Sequence, residues 1–180
     1  MAPDPRQRSF RAVLINTFVA NITTSFLWFA LTFWIYLETR NVLATAFLGG
    51  SYMLMLAVLG VPFGSLVDRH HKKKVMSVAT LFAAAAYALA FVFYLVTPKS
   101  ELLHVGGRAF WTFILLILAG AIVENIRGIA LGTCVTLLVP AGERDKANGL
   151  VGMVLGVGFG LTSVFSGLAV GLLGMTWVIG

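Results

Sequence analysis

Two charged residues, Glu124 and Arg127, interrupt a long apolar stretch in the segment "GAIVENIRGIAL". Three residues apart on a helix, they share a face and can pair. Counted back from Pro140, Arg127 lies about 20 Å inside this stretch at roughly 1.5 Å per residue. A lone charge at that depth of a bilayer costs at least ~2.5–3.5 kcal/mol, so we expect the pair to face a cavity or a partner helix. Glu124, Arg127 and the adjacent Asn125 are therefore candidates for a substrate or proton pathway, and a mutually neutralised structural pair is the alternative.

A second set of polar residues follows one face of the first apolar stretch. The set consists of Thr17, Asn21, Thr24, Trp28 and Thr32. Such a face forms either a cavity wall or a series of hydrogen bonds to a neighbouring helix, and the sequence leaves both open. On the first interpretation, Asn21 and Trp28 join the pathway candidates.

The elements that must position these residues are membrane-spanning helices. The chain has 180 residues, of which 59% are hydrophobic and 11% charged, and its mean hydropathy is +0.93. Soluble domains carry about 25% charged residues. Five apolar stretches exceed the roughly 20 residues that cross a bilayer as a helix. They run over residues 10–37, 42–67, 75–97, 109–139 and 147–173, and residues 175–180 resemble the start of a sixth. We therefore predict an all-α integral membrane protein with the lipid bilayer as its surroundings.

The distribution of basic residues predicts the orientation of these spans. Three of the thirteen lysines and arginines fall in one set of connections: Arg40, Lys99 and Arg108. Nine fall in the other set: Arg6, Arg8, Arg11, Arg69, Lys72, Lys73, Lys74, Arg144 and Lys146. Cytoplasmic loops collect Lys and Arg, so we expect a cytoplasmic N-terminus in the cell membrane. The same rule explains the net charge of +6 without a nucleic-acid partner.

Small residues form one stripe along the fifth span. They recur at spacings of three or four residues and comprise Gly152, Gly156, Gly160, Ser163, Gly167 and Gly171. Helices in lipid associate through close packing, which small side chains permit. The stripe predicts a helix-packing face, either as a static contact or as a sliding contact in a moving protein.

The sequence offers no arrangement for a metal, a cofactor or covalent catalysis. The glycines of "GMVLGVGFG" lie within a span and lack the Lys-Ser/Thr of a phosphate loop. Adjacent histidines, His70 and His71, point to different sides of a helix and have no third ligand nearby in the sequence. We accordingly expect no cofactor, no metal site and no catalytic residues.

The connection between the second and third spans, "GSLVDRHHKKK", resembles a motif of the major facilitator superfamily, G-x-L-x-D-R-x-G-R-K. The matching residues are Gly64, Leu66, Asp68, Arg69, Lys72 and Lys73, with His71 in place of the second glycine. "LVPAGERDKANGLVG" is similar to the connection between spans four and five in exporter-like members. The Gly-Pro signature of their fifth span is missing, however, and Arg127 does not match the fourth-span motif of drug/proton antiporters.

This resemblance implies that residues 1–180 form most of an N-terminal half-domain, cut at the start of span six. Family members have two six-span bundles with the substrate between them, and the first and fourth spans line the cavity. The chain would thus need the missing C-terminal half as its partner. In the family, the motif aspartate contacts the opposite half and closes the inner gate. The resemblance assigns that role to Asp68, and we expect Lys72 and Lys73 to neutralise its charge.

The implied function is secondary active transport of a small organic solute by alternating access, directed outward, with protons as a candidate coupling ion. A non-transporting subunit or truncated remnant is the first alternative. An intramembrane lipid-modifying enzyme, with Glu124 as the acid and Arg127 as the residue that holds an anion, is the second and would need further acidic or histidine residues nearby.

Overall fold

The described part of the chain consists of five long α-helices, one short α-helix and a 3-10 turn (Ala141–Glu143). The structure is a computed structural model that describes the backbone of residues 5–174 and the side chains from residue 8. The helices are α1 (Pro5–Thr39), α2 (Val42–Arg69), α3 (Lys72–Val96), α4 (Lys99–Leu102), α5 (Arg108–Leu138) and α6 (Arg144–Leu173). No strand occurs within the described range. Each long helix is apolar and long enough to cross a bilayer, so the predicted all-α membrane fold is confirmed. The predicted start of a sixth span, residues 175–180, lies outside the described residues.

Helix α5, the predicted fourth span, is the centre of the bundle. It packs against all the other long helices. Half of its most apolar 18-residue segment is buried, a larger share than in any other span. Its closest neighbour is α3, whose contact face is a ladder of alanines at helical spacing. Gly120 of α5 allows the ring of Tyr87 in α3 to lie against its backbone. Small residues thus bring these two helices together, as expected for helices in lipid.

Helices α1 and α6 form the second extensive pair. The buried positions of α6 are Ala147, Gly158, Thr162, Ser166 and Val170, which recur every four residues after Gly158. This face differs from the predicted small-residue stripe. A methyl group added at Gly152, Gly156, Gly160 or Gly171 would meet no atom within 4 Å, whereas one at Gly167 would approach the ring of Phe33 at 3.3 Å. Ser163 is half-buried. Most of the stripe therefore has no close neighbour among the described residues, and its role as a helix-packing face stays a prediction.

The end of the bundle at which α2 meets α3 and α5 meets α6 carries the basic connections, and we call it the basic end. At the opposite end, Trp34, Tyr94 and Phe113 form a buried aromatic cluster with ring centroids 5.8–6.1 Å apart. Leu102 of α4 is fully buried beside this cluster. The outward surfaces are strongly apolar; Leu43, Val61 and Leu172 are each about four-fifths exposed, at 79%, 82% and 80%. Such surfaces suit a lipid environment.

Candidate functional site

The Glu124–Arg127 pair of α5 forms as its spacing predicts. Arg127 Nε lies 2.8 Å from Glu124 Oε1, and the Glu124 side chain is 13% exposed. Arg127 as a residue is 6% exposed. A charged pair this deep in an apolar bundle is stable only if its remaining donors and acceptors find partners.

Arg127 finds those partners on two other helices. Its Nη1 donates to Thr80 Oγ1 of α3 at 2.9 Å, and its Nη2 donates to Asn16 Oδ1 of α1 at 2.9 Å. The guanidinium therefore joins α1, α3 and α5 at one depth. All three of its nitrogens are engaged, since the Nε bonds Glu124.

Glu124 lines a cavity of about 240 Å³ between α1, α2, α5 and α6, which we call the central pocket. Its polar lining consists of Thr17, Asn21, Thr24 and Ser25 of α1, Tyr52 of α2, and Glu124, Asn125 and Arg127 of α5. The pocket therefore brings together the candidates Asn21, Glu124, Asn125 and Arg127 from two distant segments. Polar groups that converge on one pocket inside an apolar bundle are typical of ligand sites.

Trp28 does not line the central pocket but packs beside it. Its ring lies 4.5 Å from that of Tyr52, centroid to centroid, at an angle of 39°. Thr32, the last member of the predicted polar face, donates its hydroxyl to the carbonyl of Trp28 at 2.8 Å and does not line the pocket. Thr17, Asn21 and Thr24 thus fit the cavity-wall interpretation, whereas Thr32 bonds within its own helix and not to a neighbouring one.

A larger cleft, of about 870 Å³, lies between α1, α3 and α5 on the other side of Arg127. Lys73 lines it near the basic end, and Thr80 and Arg127 line it deeper in the bundle. Arg127 thus separates this cleft from the central pocket, because it lines both.

The motif between the second and third spans lies on two helix ends. Gly64, Leu66, Asp68 and Arg69 occupy the last turns of α2, and Lys72 and Lys73 begin α3. Lys72 Nζ donates to the backbone carbonyls of Val67 and Asp68, the latter at 3.1 Å. The expected neutralisation of the Asp68 carboxylate by Lys72 is not observed, because the terminal carbonyls of α2 lack intrahelical partners and take the ammonium instead.

Asp68 and Gly64 both face away from the other helices. Asp68 is exposed and forms no ion pair within residues 8–174. A methyl group added at Gly64 would meet no atom within 4 Å. This end of α2 therefore presents a free carboxylate beside an open glycine surface.

The other connection at the basic end is built in the same way. Arg144, the first residue of α6, donates from Nη2 to the carbonyl of Thr136 at 2.9 Å and from Nε to that of Val139 at 3.3 Å. A basic side chain from the following helix therefore closes the ends of both α2 and α5, as cations near helix C-termini do.

Residues 13–180 match the family profile described as Major Facilitator Superfamily. The chain belongs to this superfamily. The family predicted from the motif of Gly64 to Lys73 is thus confirmed, and the superfamily is one of transporters.

Two curated relatives of this superfamily member are named Macrolide efflux protein A, one from Streptococcus pyogenes and one from its serotype M6. The chain is 28% identical to each over 142 residues, which cover 78% of this chain and 32% of the relative. The chain thus spans about a third of the length of the curated relatives it matches. No solved structure matches the chain significantly.

The sequence did not single out four of the site residues of this superfamily member: Asn16, Ser25, Tyr52 and Thr80. Each is a polar residue in an apolar span. The sequence contained one indication of the site: counted along their helices, Asn16 and Thr80 lie at about the depth of Arg127. No group of three or more His, Cys, Asp and Glu side chains that could hold a metal occurs among the described residues.

Proposed function

We propose that the chain is part of a secondary transporter that moves a small organic solute across the cell membrane by alternating access. The observation that carries this proposal is the central pocket, where polar side chains from three helices surround Glu124 within an apolar bundle. Ionisable groups inside a membrane mark substrate or ion pathways. A purely structural ion pair would need no such pocket beside it.

Export is the direction we propose, because both curated relatives are named efflux proteins. The relatives are about three times longer than the aligned segment. We infer that a C-terminal half provides the opposite wall of the pathway, and that the exposed surfaces of α2 and α6 face it. The open glycines of the α6 stripe suit such a contact, since a partner helix can approach them closely.

We infer that the basic end is cytoplasmic and that the Asp68 carboxylate contributes to the inner gate. A carboxylate at the C-terminus of its own helix is electrostatically unfavourable and gains from a partner elsewhere. Lys72 is engaged by backbone carbonyls and Asp68 forms no ion pair within residues 8–174, so we place that partner in the opposite half. The N-terminal end of a helix in the opposite half has the right charge.

Protons are the coupling ion we propose. Of the seven acids in the chain, Glu124 is the one in the middle of a span. It lines the central pocket on one side and is paired with Arg127 on the other. A proton that arrives through the pocket would therefore neutralise Glu124 and break its ion pair with Arg127.

An accumulation assay tests this function. Cells that produce the full-length parent protein should retain less of a radiolabelled macrolide than cells with an empty vector, and a protonophore should abolish the difference. Sequencing beyond codon 180 provides an independent check. An open frame with about six further spans fits the transporter, whereas an immediate stop, with no difference in accumulation, would favour a non-transporting remnant.

A further inference from the structure

Two oxygen atoms at the wall of the central pocket lack hydrogen-bond partners. Thr17 Oγ1 and Asn21 Oδ1 are both buried, and neither is bonded within the described residues. Thr17 and Asn21 lie one helical turn apart on α1 and both line the pocket, but Asn21 Oδ1 is directed at α6, 2.5 Å from where a methyl group on Gly158 would lie. Thr17 as a residue is 6% exposed, so its hydroxyl is deeply enclosed.

The unbonded hydroxyl of Thr17 contrasts with other threonines of the spans. The hydroxyls of Thr23 and Thr32 in the same helix donate to the carbonyl four residues earlier, at 3.0 Å and 2.8 Å. Thr162 of α6, which is as deeply buried as Thr17, does the same at 2.8 Å. Threonine hydroxyls in these helices thus commonly bond the carbonyl four residues earlier, but the Thr17 hydroxyl does not.

The charge of the pocket determines what kind of donor suits these oxygens. Glu124 and Arg127 form a pair at 2.8 Å, so the pocket has an acid and a base but no net charge. An ammonium group would be attracted by the Glu124 carboxylate but repelled by the Arg127 guanidinium. An uncharged donor avoids this conflict and still bonds the unpartnered Thr17 oxygen.

We propose that the central pocket recognises a hydroxyl group of the transported solute, which donates to Thr17 Oγ1. This inference rests on the proposed transport function and assigns its solute class: an uncharged, hydroxyl-bearing molecule with an apolar body. The Tyr52 ring, which lines the pocket and lies against Trp28, provides an apolar surface for that body. A site with unpaired buried acceptors discriminates against an analogue that has no donor.

Matched solutes test the proposal. Inverted membrane vesicles that contain the full-length protein are given a radiolabelled macrolide aglycone, which has free ring hydroxyls and no basic amino sugar, or its O-methylated derivative, which cannot donate. The wild-type protein should transport the hydroxylated compound with a kcat/KM about tenfold higher, the effect of one hydrogen bond to a buried acceptor.

The variants show whether Thr17 is responsible. Thr17→Val has nearly the same shape and should lower the preference to about twofold or less, while Thr17→Ser should keep it. Thr162→Val is the control, because it removes an equally buried hydroxyl that already has a partner and lies outside the pocket. The Thr162→Val variant should prefer the hydroxylated solute as strongly as the wild type does.

The outcomes separate this inference from the function on which it rests. Equal transport of the two solutes by wild type, or an unchanged preference in Thr17→Val, would overturn the hydroxyl-recognition proposal and leave the transporter intact. Transport of neither solute by wild type would overturn both the proposed export of macrolide-like compounds and the solute class inferred from it.

Discussion

Replacing Gly120 with alanine should loosen the contact between α5 and α3, the most extensive in the bundle. A methyl group at this position would lie 2.6 Å from one carbon of the Tyr87 ring and 3.0 Å from two more, whereas ordinary contacts begin near 3.4 Å. Relief requires the half-buried Tyr87 ring to turn away from its packed position or the two helices to separate. Overpacking of this kind costs about 1–3 kcal/mol.

Helix propensity acts in the opposite direction, because alanine is favoured over glycine by roughly 0.8–1.0 kcal/mol. Gly132→Ala corrects for this term, since Gly132 lies in the same helix and its added methyl group meets no atom within 4 Å. The difference between the two variants isolates the steric effect. We expect Gly120→Ala to be less stable than Gly132→Ala by about 1–3 kcal/mol.

SDS-induced unfolding in mixed micelles, followed by tryptophan fluorescence, measures both free energies of unfolding. A double variant that also carries Tyr87→Leu should recover most of the loss, because the obstructing ring is gone. Equal stability of Gly120→Ala and Gly132→Ala would refute the close approach of α3 and α5 at this level.

Three further predictions concern the orientation of the spans and the residues of the basic end. Cysteine substituted at Asn41 should react with an impermeant thiol reagent on intact cells, and cysteine at His71 should not; the reverse pattern would invert the proposed orientation. Lys72→Met should lower the free energy of unfolding by about 1 kcal/mol by leaving the α2 carbonyls without the ammonium, while Lys74→Gln should change it little; equal effects would argue against the cap. Asp68→Asn in the full-length protein should increase accessibility from the cytoplasm and slow transport, and unchanged values of both would remove Asp68 from the gate.

Much of the fold follows from the sequence because membrane spans are set by length and hydropathy. The i, i+3 spacing likewise predicted the pairing of Glu124 with Arg127, since local helix geometry determines it. The resemblance around Asp68 and Lys72 predicted the family. These features depend on residues that are close together in the chain.

The features that could not be predicted depend on which helices are neighbours. Thr80 and Asn16 meet Arg127 across 47 and 111 residues of sequence, and no local pattern encodes those contacts. The face of α6 was ambiguous for a related reason. Gly152, Gly156 and Gly160 recur every four residues, but so do Gly158, Thr162 and Ser166, which are the residues that contact α1. Spacing alone cannot show which of two such faces has a partner.

The most direct test of the transport pathway is solute export by Glu124→Gln in the full-length protein. The substitution keeps the volume and removes the charge that opposes Arg127 at 2.8 Å. Glu38→Gln is the matched control, because Glu38 is exposed near the end of α1 and lies outside the central pocket. With equal amounts of protein in the membrane, we expect Glu124→Gln to lower the transport rate by at least roughly tenfold and Glu38→Gln to leave it unchanged. Wild-type transport by Glu124→Gln would contradict the assignment of the central pocket as the pathway.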